Sequence, residues 1–359
     1  MNQTPLFNAH ESLGANMIEV DNWNLPQSYS TVTEEHNQVR NTCGIFDLCH
    51  LGQFWLTGHD ALANLNKLCC QDAEFLCDRQ ICYSPMCNEE GKIIDDILIY
   101  RFEPNTFLLI LNPGNIEKDY EWIKSHIEGD CHVSNQSSAI GTISLQGPSS
   151  ESVLQKLTRQ RLKPLRFYWF TTGKICGEDC IISRTGFTGE DGFEILFDSC
   201  HAEKIWNAIM EAGHDVGIKP IGLGARDTLR IDTRLVAYGK DLDETVTPIE
   251  ANLNWTICFS KGSFIGSEAL KKQRDENPRK LLVGFELPIG PTPKTGNKIF
   301  KDGKHVGRVT SASCSPTLKK NIGMAYVPWG MRNIGTKFDI EIRGKRYMAT
   351  VAETPFYRK

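Results

Sequence analysis

The chain of 359 residues contains no apolar run near the ~20 residues that a membrane-spanning helix needs. Its opening, MNQTPLFNAHESLGANMIEVDN, has neither a basic segment nor an apolar core, so no secretory signal is read there. Glu11, Glu19 and Asp21 precede the first arginine, Arg40, which argues against a mitochondrial transit peptide. There are 13 cysteines but no C-x-x-C pair, so zinc spacing is absent, and the Cys176/Cys180 pair has no second half. No serine sits in G-x-S-x-G, which removes the usual hydrolase elbow. The nine histidines show no metal spacing, and His50 and His59 are too scattered to argue a site. Net charge is −4 with a pI near 6.2, which argues against a dominant nucleic-acid footprint. No internal repeat and no low-complexity tract is found.

What is present is an ordinary globular composition, 40% apolar and 23% charged. At roughly 100–200 residues per domain, the length points to two or three domains. Cys69, Cys70, Cys77, Cys82 and Cys87 crowd one stretch, and the total is odd. The reading is reduced, mostly buried thiols that bind no metal, in a cytoplasmic protein.

Helical and strand patterns mix through the first two-thirds. Short helices are expected at 34–41, 61–69, 115–126 and 202–212, the last stopped by Gly213. Strands at 96–102 and 106–111 flank Glu103-Pro104-Asn105, a hairpin signal. Residues 140–146 read as a strand, with Ser149 capping a helix to about Leu157. Hairpins and helices together give an α+β class rather than a parallel doubly wound sheet. Past the charged stretch 271–280 the chain turns to strands, with hairpin signals at Asp302-Gly303 and Arg343-Gly344. This reads as an all-β domain of small barrel or sandwich form.

Three motifs carry chemistry. In CNEEGKIIDDILIY, Asp95 and Asp96 are adjacent on a strand and point to opposite faces, so one meets a site while the other meets solvent or caps the turn. In SRTGFTGEDGFEILF, Gly186, Gly189 and Gly192 permit positive φ and close backbone approach to a ligand. Glu194 follows inside an apolar strand, where a carboxylate needs a partner: a neighbouring cation, or a ligand with adjacent N–H donors. In IGLGARDTLRIDTRL, Gly222 and Gly224 lead into a helix as a weak phosphate cradle, lacking G-K-[ST]. Arg226 stands at the helix start, where the macrodipole disfavours it, so Asp227-type pairing or a ligand should require it. The run Phe167-Tyr168-Trp169-Phe170 reads first as core.

At these motifs the chain resembles the aminomethyltransferases, the T-protein family of the glycine cleavage system. The similarity runs nearly end to end: EEHNQVRNTCGIFDLCHLGQF, YSPMCNEEGKIIDDILIY, GFTGEDGFEI, GLGARDTLR, DETVTPIEANLNWTI, FIGSEAL and GRVTSASCSPTLKKNIGMAYVP follow family blocks in family order. The resemblance implies transfer of an aminomethyl group from the lipoyl arm of H-protein to tetrahydrofolate, with release of ammonia. It implies tetrahydrofolate as co-substrate, no metal, and no nucleic-acid or membrane partner. It implies a three-domain fold around a folate channel, with 1–51 and 139–227 interleaved with 52–138 and 228–274, and an all-β domain at 275–359. The catalytic aspartate maps to Asp96 and the pterin-binding glutamate to Glu194. Arg226, Tyr83 and Asn112 match further folate positions, with Tyr168, Trp255 and Arg358 more loosely aligned. Phe187 stands where the family's G-Y-T-G-E has tyrosine. Two rivals share the fold. One is another folate-dependent demethylase or methyltransferase. The other is a non-enzymatic folate-binding iron–sulfur maintenance protein marked by K-G-C-Y-x-G-Q-E, whose cysteine is replaced here by Ser263.

Overall fold

A computed structural model describes all residues from Met1 to Lys359. Two compact units are woven from alternating stretches. The first takes Met1–Leu65, Ala73–Tyr83 and Ile97–Arg226; the second takes Asn66–Asp72, Ser84–Asp96 and Asp227–Lys359. The class is α+β, as the mixed patterns imply. No helix is long and apolar enough to cross a membrane.

In the first unit a six-stranded sheet has the order Phe170–Ile175, Glu178–Ser183, Gly192–Asp198, Ile140–Gln146, Gly44–Asp47, Lys219–Pro220. Inward-facing Ile143, Leu145, Phe193 and Ile195 bury completely against Ile205, Trp206 and Ile209 of the amphipathic helix Ala202–Ala212. Removing such a side chain from water is worth roughly 1.5–3 kcal/mol, which fixes the sheet's register. Helix Val32–Asn41 begins with a capping box: the Thr31 hydroxyl accepts from the Glu34 N–H, and the Glu34 carboxylate accepts from the Thr31 N–H. Ser149 does precede a helix, Ser150–Gln155, but its side chain makes no cap bond and the helix stops short of Leu157. The expected hairpin is present, strand Thr106–Leu111 pairing back through Thr106–Ile110 on Leu98–Glu103 of the long strand Ile93–Glu103.

In the second unit six strands close into a barrel in the order Lys280–Leu287, Lys320–Pro328, Lys304–Ser315, Lys298–Lys301, Lys337–Ile342, Lys345–Ala352. Its hairpins turn at Asp302-Gly303 and Arg343-Gly344, all four residues at positive φ, as the dipeptides predict. Phe285, Ile299, Val309 and Ile340 fill the interior. Ahead of the barrel, helix Leu223–Asp232 contributes Arg230, only 2% exposed. Its guanidinium donates to Asp227 at 2.6 Å, Asp241 at 2.7 Å and the Ser311 hydroxyl at 2.7 Å. Asp241 also accepts from Thr310 and Ser311, and its carbonyl from the Tyr326 hydroxyl. A buried charge pair is tolerated only with its remaining donors and acceptors met, as here.

Candidate functional site

In the first unit the register places Glu194 between Ser144 on one neighbouring strand and Ser183 on the other. The Thr185 hydroxyl donates to Glu194 Oε2 at 2.7 Å. Ser183 Oγ lies 2.8 Å from Thr185 Oγ1, and the Tyr100 hydroxyl lies 3.0 Å from Ser183 Oγ. The Ser183 hydroxyl also donates to the Glu194 carbonyl at 3.2 Å, so the hydroxyls of Thr185, Ser183 and Tyr100 form one connected set behind this residue. Oε1 of Glu194 accepts no hydrogen bond from the protein. Burial raises the Glu194 pKa, opposed by the Thr185 bond and by the charge of Arg226. So the partner for this strand carboxylate is a hydroxyl and a nearby guanidinium, not a salt bridge across strands.

Arg226 sits in the first turn of helix Leu223–Asp232, with its guanidinium 4.6 Å from the centre of the Phe187 ring. Asp227 does not meet it; that carboxylate pairs with Arg230 and Lys240. Leu48, Ser144, Gln146, Phe187, Thr188 and Arg226 line a cavity of about 10 Å³, room for no more than a single water.

The helix start is not a phosphate cradle. The Gly222 N–H donates to Glu35 Oε2 at 2.7 Å, and Glu35 also accepts from the Tyr29 and Ser30 amides at 2.6 and 2.7 Å. A buried internal carboxylate thus occupies the anion position that such a terminus offers. The glycines of 186–192 also differ from expectation. Only Gly189 has positive φ, at 78°. A Cβ on Gly186 or Gly192 would come within 2.1 or 2.4 Å of the Gln146 amide, so these two make room for a side chain of the protein rather than for a ligand. Gln146 in turn bonds the Thr185 carbonyl and the Thr188 hydroxyl, holding the loop. Arg184 holds it from the other side, bidentate on Asp191 at 2.8 and 2.5 Å.

Of the other expected site residues in this unit, Tyr83 is half-buried on strand Ile81–Cys87, and Asn112 half-buried just before the turn Pro113–Asn115. Tyr168 is left-handed, with φ of 62°. Its N–H donates to the Arg184 carbonyl, one residue before Thr185, and its carbonyl accepts from Ile81. Of the aromatic run, Phe170 is core while Phe167 is 64% exposed. His50, given no role by spacing, is buried beside the charges of Asp47 and Arg226. Its Nδ1 has no partner, and burial holds its pKa down to about 4. Sequence reasoning also missed Ser183, Thr185 and Tyr100. Alternation around Arg184 was the available signal, since it sets Ser183 and Thr185 on one face.

The second unit holds Asp96, Trp255 and Arg358. Asp96 lies three residues past Ile93, whose N–H is fixed by the Val246 carbonyl at 2.9 Å. The preceding turn is tied by Asn88, which accepts from Glu90 and Lys92, with Gly91 at φ of 74°. Asp96 is half-buried and Asp95 is completely buried. Asp95 therefore does not face solvent, one of the two places the sequence left open for it: both faces of this strand are covered. Trp255 is 64% exposed. Arg358 is exposed and pairs with Glu353 at 3.0 Å. All 13 cysteines are free thiols, with Cys70 and Cys87 Sγ atoms 3.5 Å apart.

Comparison with known proteins covers the whole length. Residues 6–261 match the GCVT N-terminal domain family, and residues 280–358 match the glycine cleavage T-protein C-terminal barrel domain. An aminomethyltransferase of a Geobacillus strain is 44% identical over 361 aligned residues, covering 100% of this chain and 99% of that protein. The aminomethyltransferase of Halothermothrix orenii is 42% identical, covering 99% of this chain and all of its own. The crystal structure of glycine cleavage system aminomethyltransferase T from Bartonella henselae superposes with a TM-score of 0.94 at 29% identity, covering 99% of this chain and 98% of that one.

Proposed function

The chain belongs to the glycine cleavage T-protein family and is an aminomethyltransferase, and from that premise we propose how its residues divide the work. It takes an aminomethyl group from lipoylated H-protein, releases ammonia and passes the one-carbon unit to tetrahydrofolate as co-substrate. It works in the cytoplasm, with its thiols reduced. The observation that carries the folate assignment is Glu194: a carboxylate in an apolar strand, one oxygen held by Thr185 and the other without a protein donor. Adjacent N–H groups of a pterin suit that acceptor, and Arg226 supplies charge beside it. Tyr83, Asn112, Tyr168, Trp255 and Arg358 are assigned to folate contact on family position.

Asp96 is the catalytic group in this reading. One folate amine attacks the electrophilic methylene carbon as the bond from that carbon to the departing ammonia nitrogen breaks; the second folate amine then closes on the same carbon as its bond to the lipoyl sulfur breaks, and the sulfur leaves as a thiol with that amine's proton. A carboxylate beside the attacking nitrogen orients it, takes its proton as the new C–N bond forms, and stabilises cationic charge that develops on the way. No covalent protein intermediate is needed. In the three-domain reading, 1–51 with 139–227 and 52–138 with 228–274 form the folate channel, and 275–359 is the terminal domain.

The demethylase rival needs no lipoyl partner. The assay is methylene-tetrahydrofolate and ammonia formation with and without aminomethyl-loaded H-protein. Turnover that requires the loaded carrier supports the reading; equal turnover of a free methylated amine in its absence defeats it. Ser263, at the cysteine position of the iron–sulfur maintenance proteins, counts against that rival.

A further inference from the structure

Many surface cations of this protein are matched by acids: Lys156 by Asp215, Lys174 by Asp179, Lys204 by Glu178, Lys271 by Glu268. The segment 159–166 is different. Arg159, Arg161, Lys163 and Arg166 are all exposed, no acid lies among them, and none makes an ion pair. In a chain of net charge −4 this is a local excess of one sign.

The cations are arranged, not merely close in sequence. Arg159, Arg161 and Lys163 are exposed, while Gln160 between them is half-buried and Leu162 is fully buried. Three cations therefore share one face, two residues and at most about 7 Å apart. The backbone beneath them is clamped. Gln155 bonds the Gln160 carbonyl at 2.8 Å and the Leu162 N–H at 3.0 Å. Arg184 Nη1 donates to the Leu162 and Leu165 carbonyls at 3.2 and 3.1 Å. Arg159 also lines an open groove of about 1120 Å³. At its other end the strip runs through Phe167 into Tyr168, whose N–H is bonded to Arg184, the neighbour of Thr185 on Glu194. The basic strip and the Glu194 carboxylate thus belong to one unit, with the Tyr168–Arg184 backbone bond between them in the chain of contacts.

We propose that this strip receives the acidic tail of the folate substrate, as the row of carboxylates of a γ-linked polyglutamyl chain. The inference rests on the folate reading above. Each γ-glutamyl unit sets successive carboxylates on the order of 6 Å apart, which matches cations spaced every second residue. Arginine forks bind carboxylates with two parallel bonds, and a clamped backbone loses little freedom on binding. An acidic protein face could also meet a basic strip, but a regular two-residue spacing fits a repeating polyanion better than an irregular surface.

The test uses the whole enzyme with aminomethyl-loaded H-protein, comparing the mono- and triglutamyl forms of tetrahydrofolate. The wild type should show a KM about tenfold lower for the triglutamate, an advantage that fades as salt approaches about 0.5 M. In R159Q/R161Q/K163Q the advantage should vanish, with kcat and the monoglutamate KM unchanged. Arg161→Glu, a single change on an unpaired exposed side chain, should lose about threefold of it and guards against misfolding of the triple variant. Equal KM values in the wild type, or an advantage kept in the triple variant, would overturn the proposal. So would a variant that raises the KM for loaded H-protein and treats both folates alike, which would assign the strip to protein docking. Absence of turnover with either folate in the wild type would strike the folate reading itself, and the strip with it.

Discussion

The guanidinium of Arg226 lies over the ring of Phe187 at 4.6 Å, so that an aromatic face stands beneath the cation nearest Glu194. A cation held this way has its flat face packed against the ring, worth roughly 0.5–1 kcal/mol or more as solvent is excluded. Arg226→Ala should weaken folate binding by about 1.5–3 kcal/mol, the usual loss for a charged hydrogen-bond partner. Phe187→Leu should weaken it less, by loosening the arginine. Calorimetric titration with a stable folate checks both, and unchanged affinity in a folded Arg226→Ala protein would remove the residue from the site.

Asp96→Asn keeps the shape and a hydrogen-bonding oxygen but removes the charge. The rate of methylene-tetrahydrofolate formation should fall by roughly 10²–10⁴, the range for a positioned acid–base group, with folate affinity nearly unchanged. Asp95 is wholly buried, so Asp95→Asn should show mainly in thermal stability and much less in rate. A near-normal rate for Asp96→Asn, or a larger rate loss for Asp95→Asn, would sink the assignment.

The raised pKa of Glu194 sets the sign of a pH dependence. Ligand N–H groups need the ionised carboxylate. Folate affinity should therefore drop on acidification at a pH above the ordinary glutamate range, with one proton taken up. Thr185→Val removes a bond that lowers this pKa, so the drop should begin at higher pH. Stability of the unliganded protein responds in the opposite sense. A carboxyl whose pKa is raised by folding favours the fold most below its unfolded pKa, and that contribution is lost as pH rises through the folded value. Titrations of affinity and of melting temperature on the same samples separate the two slopes.

Arg230 and Asp241 are 2% and 1% exposed, and each is bonded on several sides. Removing one partner leaves an uncompensated buried charge, at a cost of about 3–5 kcal/mol. Asp241→Ala should thus destabilise strongly, whereas the double change D241A/R230M should recover part of the loss. A denaturant midpoint for D241A equal to wild type would show that the network is solvated.

Much of this was legible in the sequence because it is local. The hairpins at Asp302-Gly303 and Arg343-Gly344 and the stop at Gly213 each depend on neighbours within a few residues. What failed depended on distant partners. Gly186 and Gly192 looked like room for a ligand, but the room is filled by Gln146, some forty residues away in the chain. Gly222 looked like a phosphate turn, yet Glu35 reaches it from 187 residues earlier. Alternation left solvent open as one of two places for Asp95, but alternation says nothing about a second covered face. Of the site, Glu194 and Arg226 stood out as charges in unfavourable places; the hydroxyls of Tyr100, Ser183 and Thr185 did not, since serine, threonine and tyrosine offend no local rule.

Every strand of the barrel Lys280–Ala352 is paired on both sides, Lys280–Leu287 taking Lys320–Pro328 on one flank and Lys345–Ala352 on the other. A closed ring has no free row of amides and carbonyls with which to add a foreign strand. Recognition by this end of the chain must therefore run through side chains. Its specificity can drift one surface residue at a time, without disturbing the backbone bonds that hold the ring shut.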